Sequence, residues 1–244
     1  MQVAAKTDTG RVRAMNEDCY VVRGLGGGAL LAVICDGMGG AVGGNIASQT
    51  AARLIAESVG AAYREHRGSR SVKHLLVAAL DNANTRVFDL ADADESLAGM
   101  GTTVVAAIIS GTIASIAHAG DSRAYRYTGG TLLQLTKDHS VVQAMLDTGQ
   151  ITEDEARTHP RKNLITRALG VSDTLDIDYC EEELLPGDIV LLCTDGLSNT
   201  VDLSLGLPLL LEQEDGFKGL ADDLVELANR NGGADNITVV AVEV

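Results

Sequence analysis

Four apolar runs in this chain meet an aspartate at one end. LLAVIC runs into Asp36, ASIAHAG into Asp121, IVLLCT into Asp195, and Asp235-Asn236 leads directly into ITVVAV. Asp18 likewise precedes CYVV. Such runs read as strands, so each carboxylate sits beside an apolar strand, where burial without a partner costs several kcal/mol. Any one of them alone reads as a turn aspartate, since Asp is common at turns. For five together, with almost no Lys or Arg adjacent to neutralise them, a shared role is the stronger account.

A shared cation resolves the charge problem. Carboxylate oxygens are hard ligands that suit Mg²⁺ or Mn²⁺, and no Cys/His cluster has zinc spacing. Two such ions about 3.5–4 Å apart, bridged by an aspartate and a water, would lower the water's pKa and aim it for in-line attack. Gly37 after Asp36 fits, because a residue without Cβ lets its backbone carbonyl approach a metal closely.

The surrounding pattern is that of an α+β layered domain. Strands are expected over residues 19–23 and 29–35, joined by the glycine-rich turn at 24–28. No Gly-Lys-Ser/Thr and no opening helix follow those glycines, so they form a hairpin turn and not a phosphate loop. Helices follow over about 46–62 and along Val72, Leu75, Leu76, Ala79, Leu80, Ala83, Val87 and Leu90, at three- and four-residue spacing. Strands return at 102–109, Ile113–Ala119, 122–127 and 132–135, with Ser-Gly-Thr and Thr-Gly-Gly as turns. Residues 138–170 change to short helical pieces, among them the capping box Thr152-Glu153-Asp154-Glu155. Strand Ile189–Cys193, helices Leu203–Leu211 and about 217–229, and strand 237–242 complete the chain. With no linker or repeat in its 244 residues, the chain reads as one domain.

Composition removes several functions. The net charge of −15 argues against a nucleic-acid surface and against docking on anionic lipid. The stretch 102–119 is broken by Ser110-Gly111-Thr112 and reads as a hairpin, not a membrane span. The first residues carry no apolar signal region, so a soluble cytoplasmic protein is expected. Cys19, Cys35, Cys180 and Cys193 form no CxxC pair and read as reduced thiols. With no tryptophan and 3% aromatics, base- or sugar-stacking platforms are not expected.

Other reactive groups carry less weight. Arg13 sits in the loop Thr9-Gly10-Arg11-Val12-Arg13 before Glu17-Asp18, where a guanidinium suits bidentate phosphate binding; a solvated surface arginine is the competing reading. His118, in an apolar strand, reads as a hydrogen-bonded core histidine. Asp138-His139-Ser140 contains the triad residue types, but sequence neighbours do not make a triad and no Gly-x-Ser-x-Gly elbow exists.

These motifs together resemble the metal-dependent protein phosphatases of the protein phosphatase 2C type, in their short bacterial form. The resemblance runs in order through GRVRAMNED (10–18), CDGMGG (35–40), MGTT (100–103), HAGDSRAYR (118–126), TKDHS (136–140), HPRKNLITRALG (159–170), LLCTDGLSN (191–199) and GADNITVV (233–240). It implies a four-layer α-β-β-α sandwich, two antiparallel sheets flanked by helix pairs, with a metal cleft between the sheets. Asp36 would bridge two Mn²⁺ or Mg²⁺ ions, and the Gly37 carbonyl would bind one. Asp195 and Asp235 would complete the other, while Glu17 or Asp18 would bind or orient waters of the first. Asp121 matches the ligand of a third, weaker ion, Arg13 matches the arginine that holds the substrate phosphate, and 138–170 would be a mobile flap. Relatives usually carry His and Glu where this chain has Ala41 and Gly44, which leaves the leaving-group proton donor open.

The expected activity is metal-dependent hydrolysis of phosphoserine and phosphothreonine in proteins by a metal-bridged hydroxide, without a covalent phosphoenzyme. Phosphorylated proteins and a partner Ser/Thr kinase are the implied partners, and the enzyme is expected to be a monomer. Two competing readings are a catalytically silent phosphoprotein-binding adaptor, with Ala41 and Gly44 as signs of decay, and a hydrolase of small phosphate esters.

Overall fold

A computed structural model describes residues 1–65 and 68–244; the side chains of residues 40 and 41 lie outside the described set, and with them the Ala41 position singled out above. Among the described residues eleven strands follow in chain order. They are β1 (Gln2–Asp8), β2 (Asp18–Gly24), β3 (Leu30–Met38), β4 (Gly101–Thr102), β5 (Val104–Ser110), β6 (Ile113–Ala119), β7 (Arg123–Thr128), β8 (Thr131–Gln134), β9 (Asp178–Glu183), β10 (Ile189–Cys193) and β11 (Ile237–Glu243). One sheet has the order β1-β11-β10-β7-β8 and the other β2-β3-β5-β6-β9, with β4 paired to β3. Every named strand pairing is antiparallel.

Side-chain alternation sorts the strands into layers. Ala32, Ile34, Val105, Ala107, Val190, Leu192, Val240 and Val242 fill the space between the sheets. The alternate residues Leu31, Val33 and Cys35 face outward, beneath α1 (Gly40–Ala62) and α2 (Ser69–Ala93). On the far side Leu191, Cys193, Val239 and Ala241 pack under α6 (Leu203–Leu211) and α7 (Leu220–Arg230). The result is the expected α-β-β-α sandwich. Leu76 and Leu80 on α2 are fully buried, and truncating either to Ala should cost about 2–5 kcal/mol.

The first helix begins six residues before its expected start. Glycines at 40, 43 and 44 weaken the helical signal, but tertiary packing overrides it. A Cβ on Gly37 would run into the Gly44 carbonyl, so paired glycines let the first turn of α1 lie on the end of β3. Two strands carry no clear sequence signal. β1 and β9 are both edge strands, and the acidic DYCEEE of β9 has the charged character that protects a sheet edge.

Residues 138–170 hold α3 (Val141–Asp147) and α4 (Glu153–Thr158). Ser140 caps α3 through the Gln143 N–H, and Thr152 with Glu155 forms both halves of the capping box on α4. The segment's ends are tied down: the His139 N–H donates to the Gly120 carbonyl at 2.9 Å and the Thr166 N–H to the His139 carbonyl at 2.7 Å.

Candidate metal centre

The inward-facing parity of β2 and β3 carries past the apolar core to their carboxylates. Asp36 continues the face of Ala32 and Ile34, and its cross-strand partner is Asp18. The opposing sheet meets them with two threonines on its own inward parity. Thr194 and Thr238 donate their hydroxyls to Asp18 Oδ2 at 2.9 and 2.7 Å, and the Thr238 N–H donates to Thr194 Oγ1 at 3.0 Å. Asp18 therefore joins the two sheets. Asp36 is pinned through its backbone, donating its N–H to Thr103 Oγ1 at 3.0 Å and accepting the Thr103 N–H at 2.8 Å.

The remaining acids arrive on loops and a short helix. Asp195 opens α5 (Asp195–Ser198), and its Oδ2 accepts the Asn199 amide at 3.1 Å. Asp235 Oδ2 accepts from Arg13 at 2.7 Å. Buried Asn236 ties the Arg13 loop to this end of β11, donating to the Thr9 and Met15 carbonyls and accepting the Glu17 N–H. Arg13, Glu17, Asp36, Gly37, Asp121, Asp195 and Asp235 line one cavity of about 330 Å³, and Asp18 is the cross-strand partner of Asp36 beside it. All eight residues singled out in the sequence thus come to one end of the sandwich. Gly37 has a second reason to lack a side chain, the close approach of α1.

The electrostatics of this end fit hard cations. Burial, reinforced by the facing aspartates, pushes the Asp36 carboxyl well above the usual range. Burial raises Asp18 to about 7 against the pull of its two threonine bonds, and burial with Asp195 raises Asp121 to about 7. Asp195 and Glu17 are raised as well, each chiefly by burial. Glu17 Oε1, Asp18 Oδ1 and Asp195 Oδ1 are buried without a hydrogen-bond donor. Arg13 is the single cationic side chain among the described residues lining the cavity. Oxygen-only donors, unpaired lone pairs and excess negative charge are what Mg²⁺ or Mn²⁺ requires.

A second grouping, His118, His139 and Asp178, does not build a comparable centre. The imidazoles stack with centroids 4.7 Å apart and planes 11° from parallel, so their in-plane lone pairs cannot converge on one ion. His118 Nε2 meets the Lys137 carbonyl at 3.0 Å, and His139 Nδ1 accepts the Gly120 N–H at 3.1 Å. His118 is thus the hydrogen-bonded core residue expected. Asp138 pairs with Arg123 and Ser140 caps a helix, so no triad forms.

Thr194, Thr238, Thr103 and Asn236 escaped the sequence reading. Their one signal is parity: Thr194 and Thr238 lie two residues from Leu192 and Val240 on the same inward face.

The profile of the protein phosphatase 2C family matches residues 9–239. The serine/threonine phosphatase stp of Listeria welshimeri is 37% identical over 246 residues, covering 100% of this chain and 96% of its own. The S. agalactiae serine/threonine phosphatase superposes with a TM-score of 0.93 at 33% identity, over 100% of this chain and 99% of that one. The catalytic domain of the protein phosphatase PstP, solved with two manganese ions, gives a TM-score of 0.86 at 34% identity over 99% and 97% of the two chains. Eight ordered motifs, a four-layer sandwich and a carboxylate cleft agree with these likenesses along the whole chain, which belongs to the protein phosphatase 2C family.

Proposed function

We propose that this protein is a metal-dependent serine/threonine protein phosphatase. The observation that carries the reading is the cleft in which buried, unpaired carboxylate oxygens converge beside one arginine. Asp36, Gly37, Glu17 or Asp18, Asp195 and Asp235 would hold two Mn²⁺ or Mg²⁺ ions, and Asp121 would serve a third, weaker one. Bound there, the ions would offset the phosphate charge and supply an activated water. Arg13 presents a planar donor set to the phosphoryl oxygens. It can leave Asp235 to do so, because half of its side chain is open to solvent. The threonine bonds from the opposing sheet fix the position of Asp18, which preorganises the site.

A silent adaptor of this fold is not favoured, since nothing about phosphoprotein binding alone requires six acidic side chains gathered at one buried end. The substrates are phosphorylated proteins, supplied by a serine/threonine kinase that this enzyme opposes. Residues 1–244 act as a single catalytic domain with 138–170 as its flap. The protein acts as a monomer, because one chain supplies every ligand. Four free thiols agree with a cytoplasmic setting, and among the described residues no helix is long and apolar enough to cross a membrane. The test is phosphate release from phosphoserine and phosphothreonine peptides against nucleotides and sugar phosphates, with Mn²⁺ and with chelator. Mn²⁺-dependent turnover concentrated on the peptides is expected. Preference for the small esters would replace this reading with that of a small-molecule hydrolase.

A further inference from the structure

The metal cleft does not end at its carboxylates. Met38, at the end of β3, and Ile165 also line a second cavity of about 230 Å³. Ala168, Val171 and Leu175 supply most of the rest of its apolar wall. The pocket depends on a missing side chain. Met38 Cε and Val171 Cγ2 would each lie 2.9 Å from a Cβ on Gly101, so any larger residue there would drive them apart.

The wall is held rigidly. Asn84, 2% exposed on α2, accepts the Gly170 N–H at 2.8 Å and donates to the Ser172 carbonyl at 3.0 Å. Thr102 and Leu169 exchange backbone hydrogen bonds of 3.0 and 2.8 Å beside it. A buried amide spent on a surface strap keeps the strap in one shape, which is the condition for a preformed subsite. Yet the side chains on this strap are left open: Val171 is 57% exposed and Leu164, next to Ile165, 52%. Across the cleft Val12 and Met15, on either side of Arg13, are exposed as well.

We infer that this side pocket is a specificity subsite, which takes an aliphatic side chain of the substrate protein one or two residues from the phosphorylated serine or threonine. The inference rests on the phosphatase reading above and narrows it to a substrate class. The shared walls make the two cavities neighbours, so a chain whose phosphate enters the cleft passes the second cavity close to the phosphorylated residue. The lining favours an aliphatic side chain: Met38, Ile165, Ala168, Val171 and Leu175 form its apolar half, and Arg167 among its polar members is already held by Asp178 at 2.9 Å. A small phosphate ester would leave it empty.

The experiment compares kcat/KM with Mn²⁺ on phosphothreonine peptides that carry Leu, Gly or Lys at each position within two residues of the phosphothreonine, with an aryl phosphate as a probe that has no flanking residue. The wild type should prefer Leu over Gly at one such position by about tenfold. Val171→Asp should remove that preference and favour the Lys peptide, measured relative to each enzyme's own rate on the aryl phosphate. A structural role for Val171 would lower all rates together and could not reverse the order of the peptides. Equal rates on Leu and Gly peptides at every position, or an unchanged order in Val171→Asp, would overturn the subsite while leaving the phosphatase reading intact. Absence of Mn²⁺-dependent hydrolysis of every substrate would overturn both.

Discussion

Strand β10 has an aspartate at each end, and the two live in opposite electrostatic worlds. Asp188, 3% exposed just before the strand, accepts from Arg126 at 2.7 and 2.8 Å and from the Leu185 N–H at 2.8 Å. Arg126 also reaches Glu182 on the other sheet at 2.7 Å, so one cation serves two carboxylates across the sandwich. Burial opposes the Asp188 charge, but these donors prevail and hold its carboxyl below the ordinary range. Asp195, at the other end, is raised by burial and by Asp235. It keeps a buried oxygen with no donor. A carboxylate that serves the fold comes with its own cation, whereas those in the cleft leave room for cations from solution.

The comparison predicts effects of opposite kind at the two ends. Asp36→Asn should lower turnover by roughly 10³-fold or more, since each ion supplies several kcal/mol of charge stabilisation. In chelator the same variant should melt no lower than the wild type, because it relieves repulsion among buried acids. Activity assays beside thermal melts read both effects. Asp188→Asn should do the reverse. Breaking a buried ion pair costs about 3 kcal/mol, so its Tm should fall clearly while kcat of the folded enzyme stays near that of the wild type.

A pH series sharpens the contrast. In chelator, the raised carboxyls hold protons in the folded chain that the unfolded chain releases between its pKa near 3.8 and the folded value of about 7 for Asp18 and Asp121. Their contribution to stability is fully present below that window and is lost as pH rises through it. His118 and His139 act in the other direction, because burial lowers their pKa and acid must charge them. Comparison with Asp18→Asn isolates the acidic part. From pH 5 to pH 8 the chelated wild type should lose on the order of 5 °C of Tm relative to that variant. Parallel curves would show that Asp18 carries an ordinary charge.

The smallest expected effect concerns Arg13, a cation already present in the cleft. Losing a phosphate clamp that acts in ground and transition states alike should raise KM about tenfold with kcat changed less. An unchanged KM for a phosphopeptide would return Arg13 to the surface.

What was legible in the sequence follows from the same physics. Buried strands such as those ending at Asp36 and Asp195 announce themselves by unbroken apolar runs, and α2 by its spacing. The acids stand out because charge beside such runs is costly. β1 and β9 stayed hidden because an edge strand has one neighbour and can carry charge. The glycine-rich start of α1 was hidden because close packing on Gly37, and not propensity, decides it. Thr194 and Thr238 could not be found from composition, since only the facing of two sheets makes them partners of Asp18.

The central claim is that buried carboxyls of the cleft, Asp18, Asp36 and Asp121 foremost, hold protons which divalent ions displace. Calorimetric titration of Mn²⁺ into the chelator-treated protein at pH 7, in two buffers of different ionisation enthalpy, tests it most directly. The account predicts two tightly bound ions per chain, the number in the manganese-bound PstP domain, with any third ion weaker, a net release of protons, and loss of the tight binding in Asp36→Asn. Binding without proton release, or undiminished in Asp36→Asn, would contradict it.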